Sequence, residues 1–132
     1  MIEDLKHNDL TESIIEAFYS VYNDLGYGFL ENVYQNALYF ELKDMGFKIE
    51  AQRPIEVCYK GKLVGKYFAD LVVEDSVILE LKTANSLIEE HECQLTNYLK
   101  ATDIEVGLLL NFGKKPQFKR KIFDNKIKLK SV

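Results

Sequence analysis

Apolar residues recur every three or four positions in three segments of the chain, which is the pattern of helices with one face on a core. Gly26 and Gly46 follow the first two segments as C-terminal stops. Ser86, with Glu89 three residues later, is predicted to cap the third segment in a capping box. The predicted helices run over residues 9–25, 29–45 and 86–102.

Between the second and third helices, and again after the third, the pattern shortens to that of β-strands. Arg53-Pro54 interrupts the first of these strands, and Lys60-Gly61 is predicted to form a hairpin turn into the second. Residues 105–112 form a nearly continuous apolar run, typical of a strand buried on both faces. The predicted strands are 47–59, 63–73, 77–82, 105–112 and 118–123, followed by a lysine-alternating tail. The order α-α-β-β-β-α-β-β predicts an α/β sandwich around a mixed sheet.

Composition restricts the class of protein. The chain has 132 residues, of which 47% are hydrophobic and 29% charged, so we expect a single globular domain over residues 1–132. No apolar run approaches the roughly 20 residues that span a bilayer, and the N-terminal residues lack the pattern of a signal peptide. Cys58 and Cys93 form no CxxC pair or Cys/His cluster, which argues against a disulfide scaffold or a structural zinc site. We therefore expect a cytoplasmic protein with no membrane partner.

The formal net charge of −4 conceals an uneven distribution. Residues 1–112 carry 9 basic and 20 acidic side chains, whereas residues 113–132 carry 8 basic side chains and one acidic side chain. A local basic stripe can bind phosphates even on an acidic protein, but lysines also protect an edge strand from aggregation. Both interpretations stay open for this basic strand and tail. The candidate phosphate contacts are Lys114, Lys115, Lys119, Arg120 and Lys121.

Charged residues interrupt two strands whose other residues predict a buried position. Asp70 lies inside the second predicted strand, and Glu80 and Lys82 share one face of the third. If Val73 pairs with Val77 across the short turn, Asp70 lies opposite Glu80. Two acids opposite each other in a half-buried sheet repel and need a compensating cation. Lys82 supplies one positive charge, and a divalent metal would supply the rest; the alternative is a structural ion-pair cluster.

Polar residues also lie on core-facing stripes of two helices. Glu31 heads the stripe that contains Tyr34, and Gln94 and His91 share a stripe with Tyr98. Such positions are costly unless the groups are paired or used in function. The structural alternatives are that Glu31 complements the helix dipole and Gln94 caps backbone groups. In this structural interpretation Tyr34 and Tyr98 are core residues with solvated hydroxyls, and His91 is a surface residue.

These features occur in an order that resembles a known family. The GxxExxY pattern is spelled by residues 28–34, and four further tracts follow it at residues 68–70 (FAD), 80–82 (ELK), 94–99 (QLTNYL) and 106–113 (VGLLLNFG). Over about residues 10–124 the chain resembles the GxxExxY branch of the PD-(D/E)XK nuclease superfamily. Ala69 stands where the superfamily name has proline. The resemblance implies a restriction-endonuclease-like αβββαβ core, with a mixed central sheet flanked by helices.

The resemblance also implies roles for the individual residues. Lys82 would orient the attacking water and stabilise the charge of the phosphate, and Gln94 would position the substrate or the lysine. Mg²⁺ or Mn²⁺ would be held by Asp70, Glu80, the backbone carbonyl of Leu81, and Glu31. The bound metal would activate the water and neutralise the phosphate. Further substrate contacts are expected from Tyr34, Tyr98, His91 and the basic residues after position 113.

The reaction that this implies is hydrolysis of a phosphodiester in nucleic acid, with DNA favoured over RNA. A homodimer or a partner protein would add surface to an acidic body with a single basic stretch. Two alternatives stay open: a catalytically silent binding or scaffold module of the same fold, and a hydrolase of another phosphate ester. Gly26-Tyr27-Gly28 lacks the Lys-Ser/Thr of a P-loop, so ATP use is not expected.

Overall fold

The computed structural model describes residues 6–130 of the chain. Residues 1–5 and 131–132, which belong to the predicted domain and basic tail, lie outside the described residues. The helices are α1 (Asn8–Leu25), α2 (Glu31–Asp44), α3 (Glu89–Lys100) and α4 (Asn125–Lys130). The strands are β1 (Ile49–Tyr59), β2 (Lys62–Val73), β3 (Val77–Lys82), β4 (Val106–Phe112) and β5 (Pro116–Ile122).

The five strands form one sheet in the order β1-β2-β3-β4-β5. Only the β3–β4 pair is parallel, and the other three pairs are antiparallel. Because parallel neighbours need a crossover connection, the chain passes through α3 between β3 and β4. The predicted α/β fold with a mixed sheet is therefore confirmed.

The core consists of two apolar clusters on opposite faces of the sheet. One face packs against α1 and α2 through residues such as Phe18 and Leu38. The other packs against α3 through Leu95 and Leu99. All seven residues of β4 are buried, as its continuous apolar run predicts.

A tight turn joins β2 to β3 without using glycine. Glu74 and Asp75 both adopt left-handed backbone conformations, with φ of 55° and 53°. Residues in and just before β1 hold them there: the Lys48 N–H donates to Glu74 Oε2 at 2.6 Å, and Arg53 donates to Asp75 Oδ1 at 2.9 Å. Lys48 Nζ adds a contact of 2.7 Å to Asp75 Oδ2.

Two predicted element boundaries are wrong. Ser86 does not cap α3, which begins at Glu89 with Ile88 as its N-cap residue. The Ile88 N–H donates to His91 Nδ1 at 3.2 Å, so the reciprocal side chain is histidine rather than glutamate. Residues 125–130 form a short helix instead of an alternating tail. The reason is Asp124, whose carboxylate accepts the N–H of Lys126 at 2.8 Å, the usual contact of a helix N-cap.

Candidate active site

The predicted pairing of β2 with β3 is confirmed, and it ends at the two acids. Val73 pairs with Val77 and Leu71 with Leu79, which places Asp70 and Glu80 next in register. At that point the two strands separate. The Asp70 N–H donates to Glu80 Oε2 at 3.0 Å, and the Leu81 N–H donates to Asp70 Oδ2 at 2.8 Å. Each carboxylate thus replaces a carbonyl of the facing strand as a hydrogen-bond acceptor.

The site gathers acidic groups in a place that water barely reaches. Glu80 is only 5% exposed. Burial, and next the charge of Asp70, raise the pKa of Glu80 to about 8, and Glu31 contributes to the same rise. Burial also raises the pKa of Asp70, while the Leu81 N–H and Lys82 act to lower it. One lysine therefore does not balance the acids, and the site favours a further cation.

The alternation of side chains between the two faces of the sheet breaks at Asp70 in β2. Residues two apart on a strand normally share a face, yet Leu71 packs on the α1–α2 side whereas Ala69 packs on the α3 side. The neighbouring strand carries the matching irregularity, because Gln52, the residue across from Asp70, has a left-handed φ of 55°. The Gln52 side chain hydrogen-bonds Asp70 and donates to Gln35 Oε1 at 3.2 Å.

Gln52 is a site residue that sequence reasoning missed. Its amide connects α2 to the carboxylate of Asp70. The one available signal is the break in alternation around Arg53-Pro54, which marks the irregular part of β1.

Two residues of α3 reach the same site. Gln94 Nε2 donates to the Tyr98 hydroxyl at 3.0 Å. Burial raises the pKa of Tyr98 to about 12, and the charges of Glu80 and Asp70 add to this effect. The Tyr98 hydroxyl therefore lies within electrostatic range of both carboxylates, so the structure groups Gln94 and Tyr98 with them.

The structure places the other helical candidates differently. Glu31 is exposed at the first residue of α2, within electrostatic range of Glu80. Tyr34 is fully buried, and its ring stacks on Phe112 with centroids 4.4 Å apart. His91 serves as the helix-capping partner of Ile88.

The basic candidates divide into two groups. Lys119 and Lys121 lie 3.7 and 2.5 Å from the carboxylate of Glu92 on α3, and Arg120 donates to the backbone carbonyl of Lys6. The exposed pair Lys114 and Lys115 lies between β4 and β5, at the end of the sheet where β3 also ends. The first group therefore has partners within the protein.

The donor set suits a hard divalent cation. Asp70 and Glu80 supply carboxylate oxygens and Leu81 a backbone carbonyl beside them, with Glu31 nearby; these are the ligand types that Mg²⁺ and Mn²⁺ prefer. Among residues 6–130, no three His, Cys, Asp or Glu side chains are already gathered at metal-binding distance. The strand pair Asp70–Glu80 is thus the part of the site that is assembled, and Glu31 is its exposed neighbour.

Comparison with known proteins agrees with this arrangement. The family model of the PD-(D/E)XK nuclease superfamily matches residues 8–121. The chain belongs to the PD-(D/E)XK nuclease superfamily. Its membership confirms the superfamily part of the sequence resemblance and supports nuclease function in general. Divalent metals are typical of PD-(D/E)XK nucleases.

A solved structure shares the fold of this chain. The crystal structure of SSO0001 is 20% identical, with a TM-score of 0.57 over 96% of this chain and 65% of that one. The alkaline exonuclease LHK-Exo from Laribacter hongkongensis is 13% identical, with a TM-score of 0.48 over 67% of this chain and 54% of that one. This PD-(D/E)XK chain therefore spans less than two thirds of the length of either protein. No curated protein sequence matches it. No helix among residues 6–130 is both long and apolar enough to cross a bilayer.

Proposed function

We propose that this PD-(D/E)XK protein is a divalent-metal-dependent nuclease that hydrolyses phosphodiester bonds in DNA. The observation that carries the proposal is the meeting of Asp70 and Glu80 where β2 and β3 separate, with each carboxylate fixed by a backbone N–H of the other strand. Lys82 follows on the same face as Glu80. A buried acid whose pKa is about 8 is poorly placed for a role in stability alone.

The metal would be Mg²⁺ or Mn²⁺, held by Asp70, Glu80, the Leu81 carbonyl and Glu31. When bound, the cation supplies the positive charge that activates water and neutralises the scissile phosphate. Lys82 would orient the attacking water and stabilise the charge that develops on the phosphate.

Gln94 and Tyr98 would position the substrate at the α3 side of the site. Their mutual hydrogen bond fixes both side chains before the substrate arrives. Tyr98 keeps its proton at neutral pH because its pKa lies near 12, so its hydroxyl can serve as a hydrogen-bond donor to the substrate.

The finer assignments belong to the same proposal. We place the chain in the GxxExxY branch because residues 28–34 carry that pattern, and Tyr34 of the pattern holds the loop in front of Glu31.

The exposed free thiols of Cys58 and Cys93 suit the reducing cytoplasm. A second copy or a partner protein would extend the short basic surface formed by Lys114 and Lys115.

The test is cleavage of labelled single-stranded, duplex, flapped and four-way DNA and RNA at low salt, with Mg²⁺, Mn²⁺ or EDTA. Asp70→Ala and Lys82→Ala are compared with Asp44→Ala and Lys62→Ala, which remove exposed charges of the same type elsewhere. We expect metal-dependent cleavage that the first two substitutions abolish and the two controls leave unchanged.

Other outcomes decide against parts of the proposal. Cleavage that survives Asp70→Ala in a folded protein contradicts the assigned site. Absence of both cleavage and divalent-metal binding in calorimetry favours the silent binding module. Hydrolysis of small phosphate esters without action on polymers favours a different hydrolase.

A further inference from the structure

A small pocket of about 260 Å³ lies at the edge of the sheet where the parallel strands β3 and β4 end. Its walls come from the α1–α2 loop, the segment after β3 and the segment after β4. Two of its wall residues lie close in sequence to residues of the candidate active site. Its wall residue Thr83 directly follows Lys82, and its wall residue Phe29 lies two positions before Glu31.

Two tyrosines from the helices hold two of these walls. The buried Tyr34 donates its hydroxyl to the Gly26 carbonyl at 2.6 Å and accepts the Phe29 N–H at 3.3 Å. It therefore fixes both ends of the α1–α2 loop. The Tyr22 hydroxyl lies 2.8 Å from the carbonyl oxygen of Gly113 and makes a second contact with the next residue, which fixes the loop after β4.

The third wall is held by a buried amide. Asn111 is completely buried, and its side chain accepts the Ala84 N–H and donates to the Ala84 carbonyl, both at 2.9 Å. Gly113 allows the two segments to come this close, because a Cβ at that position would lie 2.2 Å from the Ala84 carbonyl oxygen. Three loops that are each held by a core side chain make a preformed site rather than a chance gap between loops.

The chemistry at the mouth of the pocket indicates its ligand. Tyr27 and Phe29 line it with rings that are 57% and 48% exposed, and Lys114 brings a positive charge. Aromatic faces stack on nucleic-acid bases that are free of a helix, and lysine pairs with phosphate. At about 260 Å³ the pocket has room for a single base and not for a duplex.

We propose that this pocket holds one unpaired nucleotide beside the scissile phosphate, with its base against Tyr27 and Phe29 and its phosphate at Lys114. The proposal rests on the proposed nuclease function and adds the substrate class: nucleic acid that is single-stranded or frayed next to the cleavage point. Bases in an intact duplex are already stacked and paired, so they do not reach these rings.

The test compares binding of a fluorescent single-stranded oligonucleotide with binding of the blunt duplex of the same sequence. Anisotropy titrations in EDTA use the wild-type chain, Tyr27→Ala and Lys114→Ala. The matched controls are Tyr59→Ala, which removes a ring of similar exposure (63%) at the far end of the β1–β2 hairpin, and Lys62→Ala. Thermal melting verifies that each variant folds.

We expect the wild type to prefer the single strand. Tyr27→Ala should weaken single-strand binding roughly tenfold, the usual effect of losing one stacked base. Lys114→Ala should weaken it as well, and both controls should match the wild type. Equal effects of Tyr27→Ala and Tyr59→Ala, or wild-type preference for the duplex, would overturn the proposal.

Cleavage of the same two substrates with Mn²⁺ tests the nuclease assignment separately from the pocket assignment. Cleavage that needs Asp70 but shows no preference for the single strand and no response to Tyr27→Ala overturns the pocket assignment and leaves the nuclease assignment standing. A wild-type chain that neither binds nor cleaves either substrate overturns both.

Discussion

The buried carboxyl of Glu80 makes the stability of the metal-free protein depend on pH. Its pKa rises from 4.5 to about 8 on folding, with burial as the largest cause. Between these two values the folded chain keeps the proton while the unfolded chain has released it. The contribution of Glu80 to the free energy of unfolding is therefore fully present below pH 4.5 and is lost as the pH rises towards 8. At about 1.4 kcal/mol per pKa unit, the loss amounts to roughly 4–5 kcal/mol.

Glu80→Gln tests this magnitude because glutamine has nearly the same shape, cannot ionise and can still accept the Asp70 N–H. The free energy of unfolding is measured by urea denaturation in EDTA at pH 5, 6, 7 and 8. We expect the wild type to lose about 3.5 kcal/mol relative to the variant over this range. The melting temperature should then change by roughly 15 °C relative to the variant.

The control is the exposed acid Asp44, whose conversion to asparagine should leave the wild-type pH profile unchanged. Adding Mn²⁺ at pH 8 should restore stability to the wild type, because the ligand binds the folded state alone. Equal pH slopes for the wild type and Glu80→Gln would refute the reasoning, since they would show that Glu80 is not desolvated in the folded protein.

Three further substitutions test other contacts. Asn111→Leu should lower the free energy of unfolding by about 2–4 kcal/mol in urea, because it leaves the half-buried N–H and C=O of Ala84 without partners. Gly113→Ala should cost about 1–3 kcal/mol in the same assay, because its Cβ would meet a backbone oxygen at 2.2 Å. Gln52→Ala should weaken Mn²⁺ binding in calorimetry about tenfold, because it frees the carboxylate of Asp70.

Each of these has its own control. Asn97→Leu changes an exposed asparagine and should leave stability within about 0.5 kcal/mol of the wild type. Gly65→Ala adds a Cβ in ordinary contact at 3.5 Å, so a loss equal to that of Gly113→Ala would contradict the steric argument. Unchanged Mn²⁺ affinity in Gln52→Ala would show that Asp70 is held without it.

The register that brings Asp70 next to Glu80 is predictable because it depends on local information. A short turn fixes the register of an antiparallel pair, and the register decides which residues lie opposite one another. The buried β4 is predictable for a similar reason, since a continuous apolar run is stable only between two covered faces.

The features that escape prediction depend on tertiary contacts. The left-handed Gln52 is stabilised by Gln35 and Asp70, which are distant in sequence. The chain bends at Asn85 and Ser86 and stays non-helical up to Ile88, next to Ala84, which is tied to Asn111 on another strand. The pairing of Lys121 with Glu92 joins β5 to α3, so no local pattern reveals which basic residues remain available.

The turn between β2 and β3 has a consequence for how this chain tolerates insertions. Surface turns usually accept extra residues with little harm, and Glu74 and Asp75 are exposed or nearly so. Here one added residue would shift β3 by one position against β2 and turn Glu80 to the opposite face, bringing a leucine to its place. Such an insertion would leave the sheet paired and still take the carboxylate of Glu80 away from Asp70. The length of this turn is therefore as much a requirement of the proposed site as its side chains are.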